Sequence, residues 1–178
     1  MVFNAPPAPR LLLVVPDRAV LKVLARRFSE AGYRVIACDQ PGSALAELYR
    51  LPVDAIVAEL QMGTVSGIDL IRMVRDDSML RDTPMVMITG RSDANGAIDA
   101  FGAGADDVVA KPFDFPVLLA RVARRLARAR SVRELRADNA TLDARVVTRA
   151  IELGETRAAL KASEDARVRL ETLMRRGG

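Results

Sequence analysis

Residues 11–32, LLLVVPDRAVLKVLARRFSEAG, hold the pattern that decides the fold: an unbroken aliphatic run followed by a segment with helical periodicity. The run LLLVV (11–15) is short and wholly apolar, as expected of a strand that is buried on both faces. The segment VLKVLARRFSEAG (20–32) is long enough to cross back over a sheet, and Gly32 marks its end. One strand and one crossover helix are therefore predicted here.

Four more units of this kind follow. The predicted strands are RVIAC (34–38), AIVA (55–58), MVMIT (85–89) and DVVA (107–110). The predicted helices are SALAELYR (43–50), IDLIRMVRD (68–76), ANGAIDAFGAG (94–104) and PVLLARVARRL (116–126). Alternation of strands and helices favours an α/β fold, a parallel sheet with right-handed crossovers and helices on both faces.

The composition excludes several kinds of catalytic and metal site. The chain has 178 residues, no histidine and one cysteine. Without histidine it cannot hold a Ser-His-Asp or Cys-His nucleophile, a histidine metal cluster or a phosphohistidine, so any phosphoryl-donor histidine must lie on a partner. We also expect that the protein is not an enzyme. Cys38 is predicted to be a small buried side chain. Neither a membrane span nor a secretory signal is apparent, which predicts a cytoplasmic protein whose residues 1–9 form a disordered tail.

The candidate site residues follow the predicted strands at their carboxyl ends, where open parallel sheets form their functional crevice. They are Pro16 and Asp17 after strand one, Glu59 at the end of strand three, Thr89 at the end of strand four, and Lys111 with Pro112 after strand five. Acids, a hydroxyl and a lysine together predict a site for a metal or for an anionic group such as phosphate. Asp106 and Asp107, just before strand five, are expected to be solvated or capping acids.

These motifs resemble the receiver domain of two-component response regulators. The similar segments are VVPD (14–17), Glu59 followed by QMG (61–63) and Gly67, ITG (88–90) and GADDVVAKPF (104–113), over roughly Arg10 to Arg128. The resemblance implies a flavodoxin-like (βα)5 sheet of order 2-1-3-4-5. It also implies transfer of a phosphoryl group from a kinase histidine to an aspartate after strand three, beside magnesium held by an acidic pair.

Several positions depart from the family pattern. The phosphoacceptor position is Glu59, Pro16 replaces the first acid of the pair and leaves only Asp17, Gly63 replaces a proline, and Val108 occupies the aromatic switch position. The retained residues form the phosphoryl pocket of the family: Thr89 would hydrogen-bond the phosphoryl group, Lys111 would pair with it, and Pro112 would follow a cis bond.

The departures predict lost phosphoryl chemistry. Glutamate carries its carboxylate roughly 1.5 Å further than aspartate, toward Lys111. We therefore expect Glu59 not to be phosphorylated and to pair with Lys111, as a partial mimic of the activated state or as a structural salt bridge. Magnesium held by Asp17, Glu59 and Gln61 would be weak, because affinity falls with each missing oxygen ligand, so we expect no cofactor.

A second region, residues 129–178, is predicted to continue helix five beyond a receiver-like domain of residues 10–128. A repeat of alternating three- and four-residue spacing runs from Leu135 to Met174, and seven of its twelve positions are apolar. Its predicted dimer-coil residues are Leu135, Asn139, Leu142, Val146, Leu153, Leu160 and Leu170. An inward asparagine favours a two-stranded coil, so a homodimer is predicted. Gly154 leaves open a break and a fold-back of the last residues.

Charge separates the two regions. Residues 1–118 carry 12 basic and 15 acidic side chains, against 15 and 8 from residue 119 onward. The basic excess permits contact with nucleic acid or membranes, but no recognition module accompanies it, so we predict neither partner. The predicted function is an atypical, phosphorylation-independent response regulator, with a sensor histidine kinase or a downstream effector as partner. Two alternatives stay open: a functional phosphoacceptor in a phosphorelay, and the regulatory fragment of a larger signalling enzyme.

Overall fold

The computed structural model describes residues 7–63, 65–91 and 93–176, except for the side chains at positions 170, 173 and 176. Its strands are β1 (Arg10–Val14), β2 (Arg34–Cys38), β3 (Ala55–Glu59), β4 (Met85–Thr89) and β5 (Asp107–Ala110). Its helices are α1 (Arg18–Glu30), α2 (Pro41–Arg50), α3 (Gly67–Asp76), α4 (Ala94–Ala103) and α5 (Phe115–Arg176). Every predicted strand and helix is present.

The strands form one parallel sheet in the order β2-β1-β3-β4-β5. This confirms the predicted fold class. In the register, Glu59 of β3 lies opposite Ile88 of β4, and Thr89 of β4 lies opposite Ala110 of β5. The carboxyl ends of β3, β4 and β5 therefore meet at one edge of the sheet.

Alternating strand side chains build a core on each face of the sheet. On one face, Leu12, Val14, Ile56 and Met87 pack with residues of α2, α3 and α4. On the other face, strand residues pack with α1 and α5, including Leu11, Leu13, Val57, Ile88, Phe28, Leu118 and Val122. Cys38 is buried as predicted, and burial, followed by the charges of Glu47 and Asp39, raises the pKa of its thiol.

Helix α5 has 62 residues and is helical through Gly154, where a Cβ atom would meet nothing within 4 Å. The fold-back that the glycine left open is therefore absent from the described residues. The chain divides into two compact units between Ser131 and Val132. None of the helices in the described part of the chain has a stretch long and apolar enough to cross a lipid bilayer.

Two sequence expectations fall partly outside the described residues. Residues 1–6 of the predicted tail are not described, and neither is the side chain of Leu170. The other six predicted coil residues lie on α5 and are all exposed.

Candidate functional site

The candidate site lies at the carboxyl edge of the sheet, where the sequence predicted it. Glu59 ends β3 and Thr89 ends β4, while Lys111 directly follows β5. Lys111 is held in place by its backbone N–H, which donates to the carbonyl of Thr89 at 2.9 Å. The peptide bond between Lys111 and Pro112 is cis, as the family resemblance implied.

Glu59 and Lys111 form an ion pair at the centre of the site. Lys111 Nζ lies 2.6 Å from Glu59 Oε1, and the side chains are 39% and 12% exposed, respectively. This is the contact expected from the longer reach of glutamate. The ammonium group thus donates a charge-assisted hydrogen bond to a largely buried carboxylate.

Gly67 lets helix α3 approach the strand end that carries Glu59. Its N–H donates to the carbonyl of Leu60 at 2.8 Å. A Cβ atom at this position would lie 2.7 Å from the Glu59 carbonyl oxygen and from the Leu60 Cα, closer than real Cβ contacts allow. A side chain here would therefore displace the backbone that positions Glu59.

Thr89 forms a hydrogen bond with a residue, Asp93, that the sequence pattern did not assign to the site. It is 3% exposed, and its hydroxyl donates to Asp93 Oδ2 at 2.9 Å. Asp93 is also the N-cap of α4. The aspartate directly before the predicted start of this helix was a usable signal, since aspartate is a preferred N-cap residue, but capping does not reveal the contact with Thr89.

Asp17 acts as the N-cap of α1. Its Oδ1 accepts hydrogen bonds from the N–H groups of Ala19 at 2.8 Å and Val20 at 3.1 Å. This cap starts the helix two residues earlier than the sequence predicted. The neighbouring Arg18 donates to Asp39 at 2.8 Å.

These donors do not fit magnesium well. Magnesium needs near-octahedral oxygen ligation, usually with one or two carboxylates free to bind it. Pro16 offers no side-chain oxygen, Asp17 is exposed and caps α1, and Glu59 is paired with Lys111. Gln61 is exposed.

Two further positions differ from the family pattern in physically interpretable ways, and Asp107 differs from its expected role. Gly63 has a φ of 81°, which proline cannot adopt. Val108, at the switch position, is half-buried against the core on the α2, α3 and α4 face. Asp107 is 7% exposed and pairs with Arg121 at 2.8 Å, so the expectation of a solvated or capping acid is wrong for it.

Asp106 is not a cap, and its side chain, although 38% exposed, makes specific contacts within the fold. Its Oδ2 accepts from the N–H of Met85 at 2.7 Å and from Arg75 at 2.8 Å. Arg75 also donates to the carbonyls of Gly104 and Thr83, both at 2.8 Å. Both acids thus hold the amino end of β5 to its neighbours, whereas Lys111 follows its carboxyl end.

Comparison with known proteins gives consistent matches. A family model described as the response regulator receiver domain matches residues 11–123. The regulatory protein VanRB of Enterococcus faecalis is 34% identical over 152 residues, which cover 83% of this chain and 68% of that protein. The response regulator MprA of Mycobacterium tuberculosis is 33% identical over 162 residues, covering 88% and 69%.

Solved structures give the same fold. A putative response regulator from Chloroflexus aurantiacus is 32% identical, with a TM-score of 0.65, over 67% of this chain and 98% of that chain. The chemotaxis response regulator CheY4 of Vibrio cholerae, at 24% identity and a TM-score of 0.62, covers 66% and 98% and supports the fold. The matched structures thus correspond to the sheet and its helices.

Proposed function

The chain belongs to the response regulator receiver family, and from this premise we propose that it is a pseudo-receiver, which signals through protein contacts without phosphorylation of Glu59. The observation that carries the proposal is the 2.6 Å contact between Lys111 Nζ and Glu59 Oε1 at the phosphoacceptor position. In the proposed state, the lysine that would neutralise a phosphoryl group already neutralises a carboxylate of the protein.

Physical requirements of phosphoryl transfer support this proposal. Transfer depends on an in-line nucleophile and on concentrated positive charge, usually from a metal. Glu59 is longer than the family's aspartate, and its Oε1 is bonded to Lys111. Pro16 supplies no carboxylate, and the exposed Asp17 caps α1. Both the nucleophile and the charge that should activate it are therefore compromised.

We propose further that the pair partly mimics the activated state. In a phosphorylated receiver, the lysine pairs with a phosphoryl oxygen that projects beyond the aspartate. The longer Glu59 side chain places a carboxylate oxygen on Lys111 in a comparable way. The 12% exposure of Glu59 keeps water from competing strongly for that contact. The site would then be held in one state without a kinase.

The second part of the proposal is dimerisation through α5, from about residue 129 onward. Leu135, Leu142, Val146, Leu153 and Leu160 repeat on one stripe and are 52–67% exposed. A helix does not gain stability from an apolar stripe that faces water, so a partner helix is needed, and a second copy of this chain is the simplest. A sensor kinase or a downstream effector would contact the receiver; absence of nucleic acid and membrane binding stays a prediction.

Phosphorylation with acetyl phosphate and Mg²⁺ tests the first part of the proposal. The full chain is incubated and then analysed by intact mass spectrometry and peptide mapping. We expect no phosphoryl adduct on Glu59. The control is the double variant Pro16→Asp, Glu59→Asp, which restores both family acids and should gain an adduct. A stable adduct on Glu59 in the unaltered chain would overturn the proposal.

A further inference from the structure

The Thr89 hydroxyl and the start of α4 share one side chain, that of Asp93. Asp93 Oδ2 accepts from the Thr89 hydroxyl at 2.9 Å, and Oδ1 accepts from the Gly96 N–H at 2.9 Å. The Asp93 carbonyl accepts from the Ala97 N–H at 3.1 Å. Both carboxylate oxygens therefore have distinct donors, one at the end of β4 and one in the first turn of α4.

Gly96 leaves room for this carboxylate beside the first turn of α4. A Cβ atom at position 96 would lie 2.3 Å from Asp93 Oδ2 and 2.7 Å from Oδ1. The carboxylate thus fills the space that a side chain would use. Glycine inside a helix costs about 1 kcal/mol relative to alanine, and at position 96 it leaves room for the Asp93 carboxylate.

We propose that Asp93 is a positioning residue, which holds the Thr89 hydroxyl and the first turn of α4 in one arrangement in place of a phosphoryl group. A hydroxyl has one proton to donate, so donation to Asp93 prevents donation toward Glu59 or toward a phosphoryl group. This inference rests on the pseudo-receiver proposal. Each group that would bind a phosphoryl group is then bonded to a carboxylate of the protein: Lys111 to Glu59, and Thr89 to Asp93.

Two glycines of α4 provide a matched test. Alanine at either position should favour the helix, but Gly102 has nothing within 4 Å of its Cβ position, whereas Gly96 has the Asp93 carboxylate. Amide hydrogen exchange is followed by NMR on the full chain. Gly102→Ala should keep or raise the protection of α4 amides. Gly96→Ala should lower the protection at positions 96 and 97 about fivefold, the effect of losing one hydrogen bond. Equal protection in both variants would overturn the proposal.

Variants of the two bonded residues separate positioning from helix capping. Thr89→Val removes the hydroxyl but keeps the shape, and it should lower protection at position 96 about threefold or more. Asp93→Ser keeps one capping oxygen where aspartate has two, so it should shift the Thr89 methyl resonance even if α4 stays protected. In that background Thr89→Val should have no further effect. A change below about twofold for Thr89→Val in the unaltered background would contradict the proposal.

The outcome is separable from that of the pseudo-receiver proposal. The same samples are treated with acetyl phosphate and Mg²⁺ after the exchange measurement. An adduct on Glu59 would reject the pseudo-receiver proposal even if Thr89→Val loosens α4. Unchanged exchange in Thr89→Val and Gly96→Ala would reject the positioning role of Asp93 even if Glu59 stays unmodified.

Discussion

At Glu59, the length of one side chain determines which partner the carboxylate can reach. The carboxyl end of β3 lies two strands away from β5, and the lysine after β5 spans the gap. With one methylene more than aspartate, Glu59 meets Lys111 Nζ at 2.6 Å. Because the glutamate is 12% exposed, the pair is shielded from water mainly on the carboxylate side. Loss of the cation should therefore cost more than loss of a surface ion pair.

We expect Lys111→Met to lower the free energy of unfolding by about 1–2 kcal/mol, since it leaves a half-buried carboxylate without its cation. Urea unfolding at neutral pH measures the change. The double variant Lys111→Met, Glu59→Gln should recover most of the loss, because no charge then remains unpaired. The control is Arg18→Met, which breaks an ion pair with Asp39 whose arginine is 85% exposed. It should cost about 0.5 kcal/mol or less, and an equal cost for Lys111→Met would contradict the buried-pair interpretation.

Residue-level prediction succeeded where strand order fixes position. Glu59, Thr89 and Lys111 converge because parallel strands end at one edge, and the ion pair followed from side-chain length. The role of Asp93 was missed because its contact with Thr89 depends on the path of the loop between β4 and α4. Sequence periodicity does not specify that path. Asp107 was misjudged for a related reason, since its partner Arg121 lies 14 positions along the chain, on a helix that only the tertiary fold brings near.

At the scale of elements, the sequence placed all five strands and helices, and the ends were less accurate than the centres. Helix α2 begins at Pro41, two residues before the periodic segment SALAELYR (43–50), because proline is well suited to the first turn of a helix. Helix α1 begins at Arg18 because Asp17 caps it. Apolar periodicity does not detect such starts, since the first turn of a helix need not face the core.

Helix α3 offers a pH-dependent test of one such end. Ser66 and Asp69 form a capping box, in which the Ser66 hydroxyl donates to Asp69 Oδ2 at 2.8 Å and its N–H donates at 3.1 Å. These hydrogen bonds lower the pKa of the Asp69 carboxyl below its usual 3.8. The folded state thus binds the proton more weakly than the unfolded state. The carboxylate therefore stabilises the fold above the usual pKa, and that contribution is lost as the pH falls through the folded pKa.

We expect Asp69→Asn to be less stable than the unaltered chain near pH 7 and to lose less stability between about pH 5 and pH 3. Urea unfolding at several pH values measures both slopes. Ser66→Ala should likewise reduce the loss of unfolding free energy at acid pH, because it removes the hydroxyl that donates to Asp69. If both variants lose as much stability at acid pH as the unaltered chain, the capping box does not contribute to the pH dependence of the unfolding free energy.

At the scale of the whole molecule, the receiver buries its apolar strand residues in its own core, whereas the apolar stripe of α5 is exposed. The strand residues Leu12 and Leu13 are fully buried, one on each face of the sheet. By contrast, every described side chain from residue 131 onward is exposed. The long helix was predictable from its uninterrupted pattern. The predicted homodimer stays a prediction, because an apolar stripe requires burial without specifying the partner. Dimerisation must therefore be tested on the assembled protein.

Two neighbouring valines of α5 separate the coil from nonspecific effects of charge. Val146 belongs to the predicted stripe and Val147 does not, yet they are 67% and 59% exposed. In a dimer, Val146→Lys would remove one buried valine side chain from each chain. The lost burial is worth about 1.5 kcal/mol per chain, or about 3 kcal/mol per dimer. The dimer dissociation constant should then rise by at least about a hundredfold, whereas Val147→Lys should change it less than about threefold. Sedimentation equilibrium of the full chain measures both constants. Equal weakening by the two lysines would place the interface on another stripe. A monomeric unaltered chain would reject the homodimer, and a helix of another protein would then be the partner that covers the stripe.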